Sequence, residues 1–294
     1  MATLRELKGR IGSVASSEKI TGAMKMISSA KMHKAESILR RLMPYRECVG
    51  TIIGNLLSSD APFESPLAAV REVRNVALVV WGSDDGLCGA YNVNIFKHLL
   101  GQIQALREEF GAGVTVTLIP VGRKMTKAVS KIAGVGTVVE VREDVNSKSD
   151  GDVVRAFNDD LRLRFLNGEV DVVRLLFMEY RSAGKQVPVS PQFLPLTPEA
   201  ISGSAEGKSG RPCLFEPDAA GIYAAVLPMF MLSVMQEAFA QNRASEQAAR
   251  VMAMQSANDN AQKLLEQLQL EYNKLRQQSI TTELLDIVGG QVRD

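Results

Sequence analysis

Apolar residues at Leu4, Leu7, Ile11 and Val14, and again at Ile20, Met24 and Ile27, recur at three- and four-residue steps, the spacing that gathers side chains on one face of an α-helix. Turn chemistry is nearly absent from residues 4–57, so the pattern predicts one long helix, bent or interrupted at Pro44 and at its glycines. At ~1.5 Å rise per residue it would reach roughly 80 Å. The signature returns at the other end of the chain, from Pro228, read as a first-turn residue, to the stop signal of Gly289 and Gly290. There Ala261, Leu265, Leu268, Tyr272 and Leu275 alternate four- and three-residue steps, a heptad seam. That segment would span ~90 Å. Both stretches far exceed the ~11–12 residues of an average globular helix. The economical arrangement pairs the two ends of the chain as an antiparallel coiled coil with the middle of the sequence inserted between them.

Between the helical ends the period changes. The run NVALVVWG is followed by the amphipathic YNVNIFKHLLGQIQALREEF, then VTVTLIPVG, then RKMTKAVSKI, a βαβα succession. A further helix near residues 152–166 precedes the strand-like DVVRLLFMEY. The expected fold class is therefore α/β: a small, mostly parallel, Rossmann-like sheet with covering helices, inserted into the coiled coil. The proline-spaced QVPVSPQFLPLTP suits an edge strand and a loop, and SGSAEGKSGRP at 202–212 reads as a mobile linker. The expected organisation is an N-terminal coiled-coil helix over 1–57, an α/β domain over 72–200, a loop with a short helix over 201–227, and a C-terminal coiled-coil helix over 228–288.

Composition adds exclusions. In 294 residues, 34 Lys and Arg balance 33 Asp and Glu, and 46% of residues are hydrophobic, so no bulk charge points to nucleic acid or to a membrane surface. Three isolated cysteines, Cys48, Cys88 and Cys213, show no CxxC spacing, which fits a reducing compartment and argues against a disulfide framework or zinc site. The best candidate for a membrane span, AAVLPMFMLSVM, is short and carries Pro228. The start of the chain lacks a secretory apolar core. Membrane association is expected only through a partner. Basic character is local: the first 46 residues hold ten Lys and Arg against three Glu. These charges spread around the helix without aromatic interleaving, which favours acidic protein partners or a solvated face over nucleic acid.

Two segments imitate phosphate cradles. In VVWGSDDGLCGAYN, residues 79–92, a strand runs into glycines and then a helix, the place where α/β folds hold phosphates. Gly82, Gly86 and Gly89 give GxxxGxxG, no P-loop lysine follows, and Asp84 and Asp85 put negative charge where a phosphate would sit. In GSAEGKSG, residues 203–210, one residue is missing from P-loop spacing. With only His33 and His98 as histidines, no Ser or Cys nucleophile has an evident base. No catalytic, cofactor or metal site is expected. The readings left open are a mechanical, partner-binding protein, a nucleotide-dependent α/β enzyme with helical oligomerisation ends, and a nucleic-acid-binding coiled coil.

Particular residues carry a resemblance. Arg10, Ile11, Ser13 and Val14 with KITGAMKMISSAKMHKA at 19–35, then Ser83-Asp84 and GLCGAYN, then SEQAARVMAMQSANDNA and YNKLRQQSITTELLDIVGG, resemble in order the gamma subunits of F-type ATP synthases. Ile280-Thr281-x-Glu283 followed by Asp286 and Gly289 is the most specific portion. The resemblance implies a rotor without a catalytic site. Its coiled coil would enter a ring of alpha and beta subunits, and its globular part would sit with subunit epsilon on the membrane c-subunit ring. It implies partner contacts at Met24 and Lys25, at Asp85 and Cys88 in the turn, at Arg250 and Gln255, and at Arg276, Gln277, Thr281, Glu283 and Asp286. The sequence departs from the family at Asp85, where arginine is usual, at Gln255, where lysine is common, at Ser16 and Ser17, and at Gly290-Gln291. Asp85 is expected to replace an attraction toward an acidic beta segment by repulsion, unless the partner compensates. Because the motif begins at Arg10, leaving no room for a transit peptide, the expected setting is a bacterial complex on the cytoplasmic face of the inner membrane.

Overall fold

The computed structural model describes residues 3–57, 65–132, 134, 136–197, 216 and 218–291, apart from the side chains of 286 and 288–291. In chain order the elements are α1 (Leu4–Leu57), β1 (Asn75–Trp81), α2 (Tyr91–Phe110), β2 (Thr115–Val121), α3 (Arg123–Val129), β3 (Thr137–Val139), α4 (Gly151–Leu166), β4 (Val172–Ser182), β5 (Lys185–Val189), β6 (Gln192–Leu194) and α5 (Ala219–Gln291). The chain divides into two compact units, Met1–Ser29 with Arg250–Asp294, and Ala30–Ala249. Helices α1 and α5 take part in both.

In the first unit the two helices run antiparallel, since α1 positions rise as those of α5 fall. Asn258 Nδ2 donates to the Glu18 carbonyl oxygen at 2.8 Å and to Thr21 Oγ1 at 3.3 Å, and Leu264 and Leu268 line one groove with Glu6, Arg10 and Val14. Shielded positions of α1 include Leu4, Leu7, Ile11, Val14, Glu18, Thr21, Lys25 and Ser28, an unbroken three–four alternation, with Ala15, Gly22, Met24 and Ser29 half-buried beside it. This corrects the expected stripe at Ile20 and Ile27, while Met24 is half-buried. Ile20 is 59% and Ile27 55% exposed, because a 3.5-residue seam admits one phase and Thr21 and Ser28 hold it. On α5 the expected seam is the shielded one: Ala261, Leu265, Tyr272 and Leu275 are half-buried and Leu268 is buried.

The second unit is a three-layer α/β structure. Its sheet has the order β3-β2-β1-β4-β5, with β6 also pairing β4. Strands β1 to β4 are parallel, whereas β5 and β6 run antiparallel to β4. Strand β1 is buried from Val76 to Trp81, as expected for a central parallel strand covered on both faces. Its alternate residues part company. Val76, Leu78 and Val80 pack with Ile95, Leu99 and Leu106 of α2, while Ala77, Val79 and Trp81 face Ile53 of α1, Phe157 and Phe165 of α4, and Phe230 and Phe239 of α5. Phe177 and Phe239 meet the Trp81 ring edge-on at centroid distances of 6.1 and 5.3 Å, the arrangement aromatic quadrupoles prefer. Helix α4 is capped by Asp150, whose Oδ1 accepts the Val153 N–H at 3.1 Å.

Two expected boundaries change. The C-terminal helix begins at Ala219, not at Pro228, which lies inside it. A mid-helix proline costs ~3 kcal/mol, offset here by burial of Tyr223, Leu227, Phe230 and Met231 on either side of it. The helix also continues through Gly289 and Gly290 to Gln291, since glycine lowers helix stability without blocking it sterically. The expected linker at 202–212, with its P-loop-like stretch, lies outside the described residues. By length and composition alone, helix α5 contains a stretch that could cross a membrane. Its Leu227, Phe230, Met231, Met235 and Phe239 belong instead to the core against the sheet.

Gly122, between β2 and α3, adopts φ +104, and a Cβ there would lie 3.0 Å from the Ser83 carbonyl oxygen and 3.1 Å from Gly82 backbone atoms. Backbone cannot yield as a side chain can, so Gly122→Ala is expected to lower unfolding free energy by about 2 kcal/mol or more. Urea titration followed by emission of Trp81, fully buried and the only tryptophan, measures it; an unchanged midpoint would refute the strain.

Candidate functional site

The glycine turn after β1 is filled by the chain's own polar groups. Asp84 points inward at 6% exposure. Its Oδ1 accepts the Arg123 N–H at 3.0 Å, and its Oδ2 accepts the Ser147 N–H at 3.1 Å and the Ser147 hydroxyl at 2.7 Å. A carboxylate thus occupies the place at the start of α3 where a phosphate would be sought. Asp85 turns outward, between Arg123 at 3.2 Å and Lys148 at 2.8 Å. Both ion pairs are half in solvent, where such pairs contribute ~0–1 kcal/mol. An open cleft beside them, of about 560 Å³, is lined by Arg123, Lys127, Arg142 and Lys148 with Val141 and Val145. Among the described residues no three His, Cys, Asp or Glu side chains gather as metal ligands.

Open parallel sheets hold ligands outside the carboxyl ends of their strands, where the strand order reverses. Here that place lies between β1, which continues to β2 on one side, and its neighbour β4 on the other. Helix α5 occupies it. Asn242 Nδ2 donates to the Gly82 carbonyl oxygen just past β1 at 3.2 Å, and Ser245 Oγ donates to the Met178 carbonyl oxygen of β4 at 2.9 Å. Gln241 Oε1 accepts the Tyr180 N–H at 2.8 Å. Tyr91 Oη, at the first residue of α2, donates toward the Asn242 carbonyl oxygen at 3.1 Å and lies against Asn242 Oδ1. Positions 241, 242 and 245 share a helix face, and Tyr91, Asn242 and Ser245 are at most 2% exposed.

In this same unit α1 is fastened to α5 and β4. Ala35 and Leu39 pack on Ala240 and Ala244, small residues that let the helix axes approach, and Arg46 pairs with Glu237. Tyr180 Oη of β4 donates to Glu36 Oε1, and His33 Nδ1 stands 3.0 Å from Glu36 Oε2.

The residues expected to meet partners are differently disposed. Cys88 is buried at 3% in the turn, against Asn92 Nδ2 at 3.4 Å and Ser83 Oγ at 3.7 Å, so its thiol is shielded from a partner in this conformation. The exposed apolar tip is its neighbour Leu87, 58% exposed with φ +63. A left-handed backbone at a leucine is strained and typical of contact sites; the sequence offers no signal for it beyond proximity to Gly86. Arg250 is buried at 6%. Gln255 is half-buried, donating to Asp259 Oδ1 at 2.6 Å, while Lys25 is half-buried in the seam and Met24 half-buried beside it. Arg276, Gln277, Thr281 and Glu283 are exposed on the last turns of α5, where Thr281 Oγ1 bonds back to the Gln277 carbonyl oxygen at 2.9 Å. The side chain of Asp286 lies outside the described residues. Exposed apolar residues are interleaved with these, Ile280, Leu284, Leu285 and Ile287 on α5, for which the sequence offers no separate signal, and Met26 on α1, in the stretch GAMKMISSAKMHKA whose methionines suit an adaptable contact surface. Ile280, Leu284 and Ile287 follow four- and three-residue steps along one helix face, apolar surface of the kind that marks an interaction site.

The Glu36–Tyr180 contact makes a testable pH signature. The hydrogen bond from Tyr180 holds the Glu36 carboxyl below its ordinary range, against the opposing effect of burial. Burial, then the bond to Glu36, pushes the Tyr180 phenol up to about 12. A depressed carboxyl contributes stability that is present above the unfolded value, ~4.3, and is lost as pH falls through the folded one. A raised phenol contributes stability lost as pH rises through about 12. In Tyr180→Phe the Glu36 carboxyl is expected to titrate higher and the acid-side stability loss to flatten. NMR titration of Glu36 reads the first effect, and an unmoved carboxyl would disprove the coupling.

Comparison with known proteins gives a consistent result. The ATP synthase family profile matches residues 3–292. The ATP synthase gamma chain of Phocaeicola vulgatus is 41% identical over 99% of this chain and its own full length. That of Bacteroides thetaiotaomicron is 36% identical over the whole of both chains. Among solved structures, the rotor of the Euglena gracilis mitochondrial ATP synthase shares the fold, with TM-score 0.60 at 18% identity over 94% of this chain and 98% of the other. The central stalk and c-ring structure from Tetrahymena thermophila gives 0.55 at 22% identity over 81% and 99%. With this similarity running from end to end, the chain belongs to the ATP synthase gamma chain family.

Proposed function

We propose that this chain is the rotor subunit of a proton-translocating ATP synthase, a non-catalytic part of the complex that couples rotation of the c-ring to conformational change at ATP sites on the beta subunits. The paired ends of α1 and α5 contact the ring of alpha and beta subunits. The α/β unit meets subunit epsilon and the c-ring, on the cytoplasmic side of a bacterial inner membrane. Such a rotor acts by differential contact, binding each beta conformation unequally according to its angle.

The observation that carries this reading is the filled crevice. Gln241, Asn242 and Ser245 occupy the strand ends between β1 and β4, and the Asp84 carboxylate takes the anion position beside them. The sheet has spent its ligand site on its own helix, while the last turns of α5 keep polar and apolar side chains exposed for partners. The alternative of a nucleotide-dependent enzyme would need that crevice free. Of the expected contacts, Thr281 and Glu283 are the strongest candidates for meeting beta loops, being exposed on α5 beside Ile280 and Leu284. Asp85 is satisfied within the chain, so the charge offered to a partner there belongs to the whole Asp85–Arg123–Lys148 group.

Tagged chain expressed with its own operon partners is expected to co-purify with alpha, beta and epsilon subunits; recovery alone would count against the assignment. In calorimetry the isolated chain is expected to bind no ATP, and micromolar binding removed by substitution of Gly86 or Gly89 would favour the enzyme reading. Thr281→Val with Glu283→Ala changes exposed residues, so stability should move by no more than ~0.5 kcal/mol. Proton pumping per ATP hydrolysed in the reconstituted complex is expected to fall, and an unchanged ratio would remove these residues from the contact.

A further inference from the structure

We infer that Asn242, held by Tyr91 and bonded to the Gly82 carbonyl, is the positioning residue of a torque-bearing lock between helix α5 and the sheet. The inference rests on the rotor reading above and adds where load passes within the chain. Apolar packing is non-directional, so a helix lying on a sheet through Leu227, Phe230, Met231 and Met235 alone could slide or turn about its axis with little change in buried area. Hydrogen bonds are directional and weaken steeply when misaligned. Those of α5 end on backbone atoms of two different strands: the Gly82 carbonyl oxygen next to β1, and the Met178 carbonyl oxygen and Tyr180 N–H of β4. Two separate anchorage points fix both the rotation and the axial position of a rigid helix. One alone would leave a pivot.

Asn242 differs from the other two anchors in being held from a third element. The Tyr91 hydroxyl reaches both its side-chain and its backbone oxygen, so the amide is oriented with Nδ2 toward Gly82. Tyr91 opens α2, on the face of the sheet opposite to the main α5 contacts. The three groups thus clamp the helix from β1, β4 and α2 at once. Gly82 is itself held in place by α3, since a Cβ there would meet Met125 Cβ at 2.5 Å.

The test separates coupling from stability. Tyr91→Phe with Asn242→Leu replaces both side chains of the Tyr91–Asn242 pair by apolar groups of similar shape, so that only the Gly82 carbonyl loses a partner, while the single Asn242→Ala keeps the Tyr91 hydroxyl on the backbone carbonyl at 242 but removes the side-chain bonds to Tyr91 and Gly82 and leaves a cavity. Both are placed in the complete complex, in membranes, in a strain lacking its own gamma subunit. Trp81 emission against urea reports folding of each variant chain. The expected result is that the double variant still unfolds in one cooperative urea transition, its midpoint lowered no further than that of Asn242→Ala, yet pumps roughly tenfold fewer protons per ATP hydrolysed against a proton gradient, loss of the Asn242–Gly82 bond shifting a locked-to-slipped equilibrium by about that factor. Tyr91→Phe alone, which leaves Asn242 on Gly82, is expected to give an intermediate loss. A double variant that couples as well as the parent would overturn the lock and leave these bonds as packing. A parental chain that fails to restore pumping at all would instead bring down the rotor reading, and the lock with it.

Discussion

A helix can serve as a machine part only if its angle is defined relative to the body that turns it. In the α/β unit that constraint is met by placing α5 in the crevice at the strand ends and tying it to backbone that cannot move. Asn242 reaches the carbonyl just past β1 and Ser245 one on β4, and Gln241 takes the Tyr180 N–H beyond the last β1–β4 pair. The remaining contacts follow from it. Once α5 is seated, its Ala240 and Ala244 receive Ala35 and Leu39 of α1, and Glu36 and Arg46 of α1 find partners in Tyr180 and Glu237. Buried polar groups are costly when unpaired, so the run of buried polar residues on α5 favours one seating over its neighbours a turn away.

The first unit solves a different problem with the same helices. Its seam keeps a strict three–four alternation, yet Glu18, Thr21, Lys25 and Ser28 stand in it. Polar seam residues lower stability but specify register, and Asn258 bonded to Glu18 and Thr21 does so here. The isoleucines displaced from the seam, Ile20 and Ile27, are left at the surface. Apolar side chains withheld from the seam are available for contact with other chains.

The long helices, the βαβ succession and the C-terminal heptad were legible because period survives in sequence: Ala261 to Leu275 is shielded at each expected position. The failures have physical causes. Leu4 to Val14 is shielded as expected, whereas Ile20 and Ile27 lie one residue out of phase: hydrophobicity favours them, but the seam holds Thr21, bonded by Asn258, and Ser28. Pro228 reads as a helix start in the sequence, because local sequence does not report the core packing that carries a helix through a proline. Strands β3 and β6, three residues each, are defined by pairing partners and not by local pattern. In the turn, the glycines and acids stand out in the sequence, but the opposite fates of Asp84 and Asp85 depend on Arg123, Ser147 and Lys148, distant in sequence. The polar face of α5 from Gln241 to Ser245 gave no signal at all, being ordinary helix composition until a sheet end is placed against it.

The Asp84 carboxylate has one more consequence. An anion recruited from solution fills its place only as far as its concentration allows, and a structure that depends on it stiffens or loosens with supply. A carboxylate carried by the chain is always present. The turn joining β1 to α3 and to the segment around Ser147 is therefore equally firm whether phosphate and nucleotides are abundant or scarce. A part meant to transmit motion during the making of a metabolite is, at this point, deaf to the level of that metabolite.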